Sequence, residues 1–135
     1  MLREFQRRND PYLLLAPTGV AAQNIGGQTI HSALKLHATE GGFQTLIFND
    51  QTFKDNLKKV KILIIDEVSM VSATLFTFLS STFSKLHANS QSFGGICIIV
   101  IGDLAQLPPV NGDPVFQSPI WKLFYPLFLR QPKDK

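Results

Sequence analysis

Cysteine is almost absent from this chain of 135 residues: a single one, Cys97, rules out an internal disulfide framework and a metal site built from several thiolates. It stands in the apolar run Ile96 to Ile101, where a small buried thiol fits better than a nucleophile, and a reducing compartment is the expectation. No apolar stretch approaches the roughly 18 to 20 residues needed to span a bilayer. The amino terminus, MLREFQRRND, has no signal-peptide core, so the expectation is a soluble protein inside a cell. Charge of one sign is scarce too. Thirteen Lys and Arg against ten Asp and Glu give a net +3, which permits contact with nucleic acid without arguing for it. No internal repeat or low-complexity tract is present. What remains, at 44% hydrophobic, is one domain's worth of chain with enough apolar residues for a core.

The stretch that organises the rest is KILIIDEVSMV, Lys61 to Val71, in which a short apolar run ends in two adjacent carboxylates, Asp66 and Glu67. Four consecutive branched aliphatics, Ile62 to Ile65, lack the alternation of a half-wet strand and suit one buried on both faces of a parallel sheet. Burying one unpaired carboxylate costs several kcal/mol, and two side by side repel, so a water-filled cleft or a divalent cation is the remedy. The competing reading is that the pair opens the next helix, where carboxylates favour the positive end of the dipole.

Along the chain, Leu2 to Arg8 reads as the last turns of an amphipathic helix stopped by Asn9, Asp10 and Pro11. Tyr12 to Ala16 predicts a strand, Pro17, Thr18 and Gly19 a break, and Val20 to Ile25 a helix. Residues 37 to 60 are less regular, with a turn at Gly41 and Gly42 and a helical signal in Phe53, Leu57 and Val60. Lys54, Lys58, Lys59 and Lys61 read most simply as a solvated face. Val71, Leu75, Leu79, Phe83 and Leu86 recur at three- and four-residue spacing and predict an amphipathic helix over Ser72 to His87, capped by Ser72. A third buried strand, Ile96 to Ile101, ends in Gly102 and Asp103. Strand, helix, strand, helix, strand in this order predicts a parallel sheet with right-handed crossovers. The polar ends of all three strands then fall on one edge, where such folds bind ligands.

The residues also resemble a known family, the petite-integration-frequency (PIF) type of superfamily 1 DNA helicases. APTGVAAQNIGGQTIHS, Ala16 to Ser32, is similar to the family's second motif and the signature that follows it. ILIIDEVSMV, Ile62 to Val71, resembles its Walker B motif, and GDLAQLPPV, Gly102 to Val110, its third motif; Arg130 and Gln131 form a fourth, shorter match.

The resemblance implies an α/β RecA-like P-loop NTPase fold in which residues 1–135 form part of a helicase motor domain. It implies ATP and Mg2+ as cofactors, with Asp66 holding the metal and Glu67 activating the attacking water. Gln106 would sense the γ-phosphate, and Arg130 would supply a cation to it. Pro17, Thr18, Gly19, Asn24, Thr29, His31 and Ser32 map onto segments that touch single-stranded DNA. A structural histidine bonded to the turn at Gly26 and Gly27 is the alternative for His31. The implied partners are single strands and duplex junctions, with a monomer in the nucleus or mitochondrion, acting in DNA repair, recombination or genome maintenance.

One departure is large: no glycine in the chain is followed by lysine, so the loop GxxxxGK[ST] that cradles phosphates is missing. Its strand would be expected beside the central one, and without it the chain would be prone to aggregate. A truncated remnant that at most binds single strands or a protein partner is therefore the alternative function.

Overall fold

The computed structural model describes residues 11–102 and 112–121. The sequence expectations for Leu2 to Arg8, Gln106, Arg130 and the aromatic tail past residue 121 lie outside them. In chain order the elements are β1 (Tyr12–Ala16), α1 (Gly19–Ile25), β2 (Gln28–Thr29), α2 (Ile30–Ala33), β3 (Leu36–Thr39), β4 (Gly42–Thr45), α3 (Gln51–Lys58), β5 (Ile62–Ile65), α4 (Ala73–Leu86) and β6 (Cys97–Val100). Short 3-10 turns cover Ile47–Asn49, Val68–Met70, Ser92–Gly95 and Val115–Gln117.

All four residues of β5 are buried. An unalternating aliphatic strand needs a neighbour on each side and cover on each face, and it has them. β1 pairs with it in parallel from Tyr12 opposite Ile62 to Leu15 opposite Ile65, and β6 pairs in parallel from Cys97 opposite Ile62 to Val100 opposite Ile65. β2 lies outside β1, giving the order β2-β1-β5-β6. On one face Leu15, Leu63 and Ile65 meet the apolar stripe of α4, Leu75, Phe76, Leu79, Phe83 and Leu86. On the other, Leu14, Ile62 and Ile64 pack with Tyr12, Ile99 and Ile25 of α1. The predicted parallel sheet and both main helices are as the sequence indicated, Ser72 Oγ accepting the Leu75 N–H at 3.1 Å to start α4.

The irregular stretch resolves into a hairpin of β3 and β4 turning at Glu40 and Gly41. A two-stranded ribbon is marginal by itself, and Phe43 anchors this one, its ring 6.0 Å from that of Phe78 on α4 and 6.1 Å from His31. The root of the hairpin is tied to α3. Asp50 caps that helix by accepting the Phe53 N–H at 3.1 Å, while its other oxygen meets Lys35 Nζ at 3.0 Å. Between α1 and β2 the backbone passes so close to β1 that a Cβ on Gly27 would collide with the carbonyl of Leu14.

Two expectations change. Both edges of β5 are occupied, so no further strand can adjoin it; among the described residues the sheet ends in the two-residue β2 on one side and in β6 on the other. There Cys97 is exposed rather than buried, because it opens an edge strand. Cys97 donates to Lys61 and Ile101 to Ile65, so by the alternation of a parallel ladder the N–H groups of Ile98 and Val100 point outward. Half-exposed aliphatics on an open edge favour pairing with other chains. The amides of Ile98 and Val100 should therefore exchange with solvent faster than those of Leu63 and Ile64, and the isolated chain should bind a hydrophobic dye and associate as its concentration rises. A monomer with uniform protection across the sheet would refute this.

The Asp50 carboxyl is held below its ordinary value of 3.8, first by the Phe53 N–H and then by the Lys35 ammonium. A depressed carboxyl stabilises the fold fully above its unfolded value and loses that contribution as the pH falls through the folded one. Asp50→Asn keeps a capping oxygen and removes the charge, so its melting temperature should fall less steeply than the parent's below about pH 4. Thermal melts from neutral pH into acid check this.

Candidate active site

Every strand of the parallel sheet points the same way, so the outlets of β2, β1, β5 and β6 share one edge. Neighbouring strands are about 4.8 Å apart, which sets the candidate residues in a row: Thr29, His31 and Ser32 past β2, Pro17, Thr18 and Gly19 past β1, Asp66 and Glu67 past β5, and Gly102 past β6. From β1 the chain steps outward to β2, then crosses back over β1 to β5. α1 packs against one face and α4 against the other. The carboxyl ends of β1 and β5 are thus a switch point, where diverging connections open a crevice in α/β sheets. Asp66 and Glu67 stand at its wall.

The alternative role for that pair, opening a helix, is not what the structure shows. α4 begins only at Ala73, and Glu67 makes no side-chain cap to the short turn Val68–Met70. Glu67 instead has φ 54 and ψ 44, the left-handed region, which costs a residue with a side chain about 1–2 kcal/mol. Four backbone bonds hold it there: Asp66 N–H to Leu15 O at 2.8 Å, Val68 N–H to Ile101 O at 2.9 Å, Met70 N–H to Glu67 O at 3.0 Å and Val71 N–H to Val68 O at 3.0 Å. Strain that persists under such constraint is a mark of functional turns.

Both carboxylates are half-buried, and neither is ion-paired among the described residues. The described residues contain no group of three or more His, Cys, Asp or Glu fit to hold a metal. Asp66 and Glu67 offer two hard oxygen donors, a set that fits magnesium, which binds through one or two carboxylates and keeps several waters.

On the β1 and β2 side, Thr18 Oγ1 accepts the Ala21 N–H at 3.2 Å and caps α1, and Thr29 Oγ1 accepts the Ser32 N–H at 3.1 Å and caps α2. Gly19, His31 and Ser32 are exposed. His31 makes no hydrogen bond to Gly26 or Gly27; its ring meets Phe43 edge to face. Asn24 is exposed as well, but lies at the far end of α1, away from the outlets. One polar group escaped the sequence reading. Ser69, just past the carboxylates, is 5% exposed, and its Oγ has no hydrogen-bond partner among the described residues; a serine inside an apolar stretch carries no signal of that kind. The left-handed turn at Glu67 was equally silent, since glutamate gives no turn signal.

A four-stranded parallel sheet covered by helices, with paired carboxylates at a strand outlet beside the switch point, is an α/β architecture that binds ligands at that edge, and its backbone matches the RecA-like domains of solved relatives. Solved relatives share it: Bacteroides sp Pif1 in complex with ADP-AlF4 matches with a TM-score of 0.77 and 27% identity, over 90% of this chain and 32% of that one. Bacteroides Pif1 bound to ssDNA matches with a TM-score of 0.74 over the same shares. The ATP-dependent DNA helicase PIF1 of Saccharomyces cerevisiae is 39% identical over 116 residues, 79% of this chain but 14% of that protein. The family model of PIF1-like helicases matches residues 1–124. The chain belongs to the PIF1-like helicase family, and it spans less than a third of the curated relatives it matches.

The strain at Glu67 is testable apart from any activity. Glu67→Asn, a residue that tolerates the left-handed region, should melt close to the parent, whereas the β-branched Glu67→Val should lose roughly 1–2 kcal/mol more in urea unfolding. Equal stabilities would show that the turn relaxes in solution.

Proposed function

We propose that this chain is part of the motor domain of an ATP-dependent DNA helicase, coupling Mg-ATP hydrolysis to movement along single-stranded DNA and unwinding of duplex. The observation that carries the reading is the row of outlets: groups suited to nucleic acid lie past β1 and β2, and the carboxylates lie on the next strand. Asp66 would hold magnesium through water, and the ion would neutralise charge on the phosphates. Glu67 would take the proton of the attacking water. The hydroxyls of Thr18, Thr29 and Ser32, the amides near Gly19 and the ring of His31 would contact phosphate and base without reading sequence. Roles for Gln106 at the γ-phosphate, Arg130 as its cation and Asn24 at the DNA rest on the family alone. So do repair, recombination or telomere maintenance as the setting, duplex junctions as substrates, and the nucleus or mitochondrion as the place.

One observation favours a second reading of the chain as it stands. It carries no GxxxxGK[ST] loop, and carboxylates alone do not hold a polyanion. These 135 residues by themselves are then a weak ATP binder with negligible turnover, at most engaging single strands or a protein.

The test uses a full-length protein that supplies such a loop. Glu67→Gln should lower turnover by about two to four powers of ten with little change in ATP affinity. His31→Ala should leave DNA-free turnover nearly intact and weaken single-strand binding by about 1–3 kcal/mol, the range for a lost stacking contact. Parental DNA affinity in His31→Ala would remove that residue from the interface, and parental turnover in Glu67→Gln would sink the hydrolytic reading.

A further inference from the structure

The turn carrying Glu67 is braced from the β6 side by Gly102. Gly102 has φ 153, and a Cβ built on it would stand 3.0 Å from the Val68 nitrogen, 3.3 Å from Val68 Cγ1 and 3.5 Å from the Glu67 carbonyl carbon. The first and third of these atoms belong to the peptide that joins Glu67 to Val68. That peptide also donates its N–H to Ile101 O, the residue just before Gly102. The nearest of these atoms is backbone rather than the end of a flexible side chain, so a side chain at position 102 requires the β6 outlet and the carboxylate turn to give by a few tenths of an ångström, enough to lengthen the bond to Ile101. Because Glu67 sits in a strained conformation held by four bonds, losing the bond to Ile101 frees it to relax toward ordinary φ values. Gly41 offers a contrast. It too has a positive φ, 85, but a Cβ there meets nothing within 4 Å.

We propose that Gly102 is a positioning residue for Glu67: its bare α-carbon lets the β6 outlet lie against the Glu67–Val68 peptide, and that contact fixes the direction of the Glu67 carboxylate. The functional weight of this inference rests on Glu67 being the water-activating group proposed above. Its structural content does not. Through the same contact, displacement of the chain after β6 is felt directly at Glu67, since only one residue, Ile101, separates the outlet from the strand pairing.

Amide exchange and carbon chemical shifts, measured by NMR without nucleotide on a full-length protein selectively labelled at Glu67, Val68 and the β5 residues, test it. In Gly102→Ala the Val68 amide should exchange about tenfold faster or more, as for loss of one backbone hydrogen bond, with Leu63 to Ile65 changed less than about twofold. The Glu67 carbon shifts should leave the left-handed range. Gly41→Ala should do neither. The parent supplies the second readout should Gly102→Ala fail to fold: its Val68 amide should be protected and its Glu67 carbon shifts should lie in the left-handed range. Unchanged Val68 exchange in Gly102→Ala, uniform acceleration across the sheet, or an unprotected Val68 amide in the parent would each overturn the proposal. A failed Glu67→Gln turnover test would instead overturn the hydrolytic reading and leave these exchange results standing.

Discussion

The demand that β5 makes on its surroundings shapes the whole domain. Four aliphatic side chains in a row leave neither face for water and neither edge unpaired, so β1 and β6 must flank it in parallel and helices must cover both sides. Parallel neighbours in turn require crossovers, and the chain crosses outward to β2 and back to β5. Burial of one strand thereby produces the switch point. Polar groups can leave β5 only at its ends, Lys61 before it and the carboxylates after it, and the carboxylates stand at the end that meets the opening its own packing created.

Much of this was legible in residues 61 to 71. The unalternating run specified the strand and its burial, its abrupt polar end marked where the chain leaves the sheet, and the three- and four-residue spacing after it specified α4. Other parts were not legible because their causes are tertiary. β2 is two residues long and exists because Gly27 lets the backbone approach Leu14, which no periodicity encodes. The hairpin depends on Phe43 finding Phe78. Cys97 reads as buried from its apolar neighbours, yet strand order, which composition does not contain, places it on an edge. The conformation of Glu67 is set by bonds to Leu15 and Ile101, residues distant in sequence.

The relatives are much longer proteins, and within the described residues the nucleic-acid and carboxylate candidates stand on adjacent strands of one sheet edge. That adjacency matters physically. β1 and β5 are joined along four residue pairs, so both outlets are carried on one continuous ladder and their spacing is fixed by strand pairing.

The caps on α1 and α2 carry a consequence for what those outlets can bind. Each threonine oxygen has one lone pair committed to a backbone amide of its helix, an arrangement whose loss costs about 0.5–2 kcal/mol. The hydroxyl proton is left to point elsewhere. An acceptor can take that proton with the cap intact, and the second lone pair of each oxygen stays open to a donor. Each threonine thus holds its helix start and still keeps one hydrogen to give at the sheet edge, so a change that removed the hydroxyl would cost the helix and the edge together.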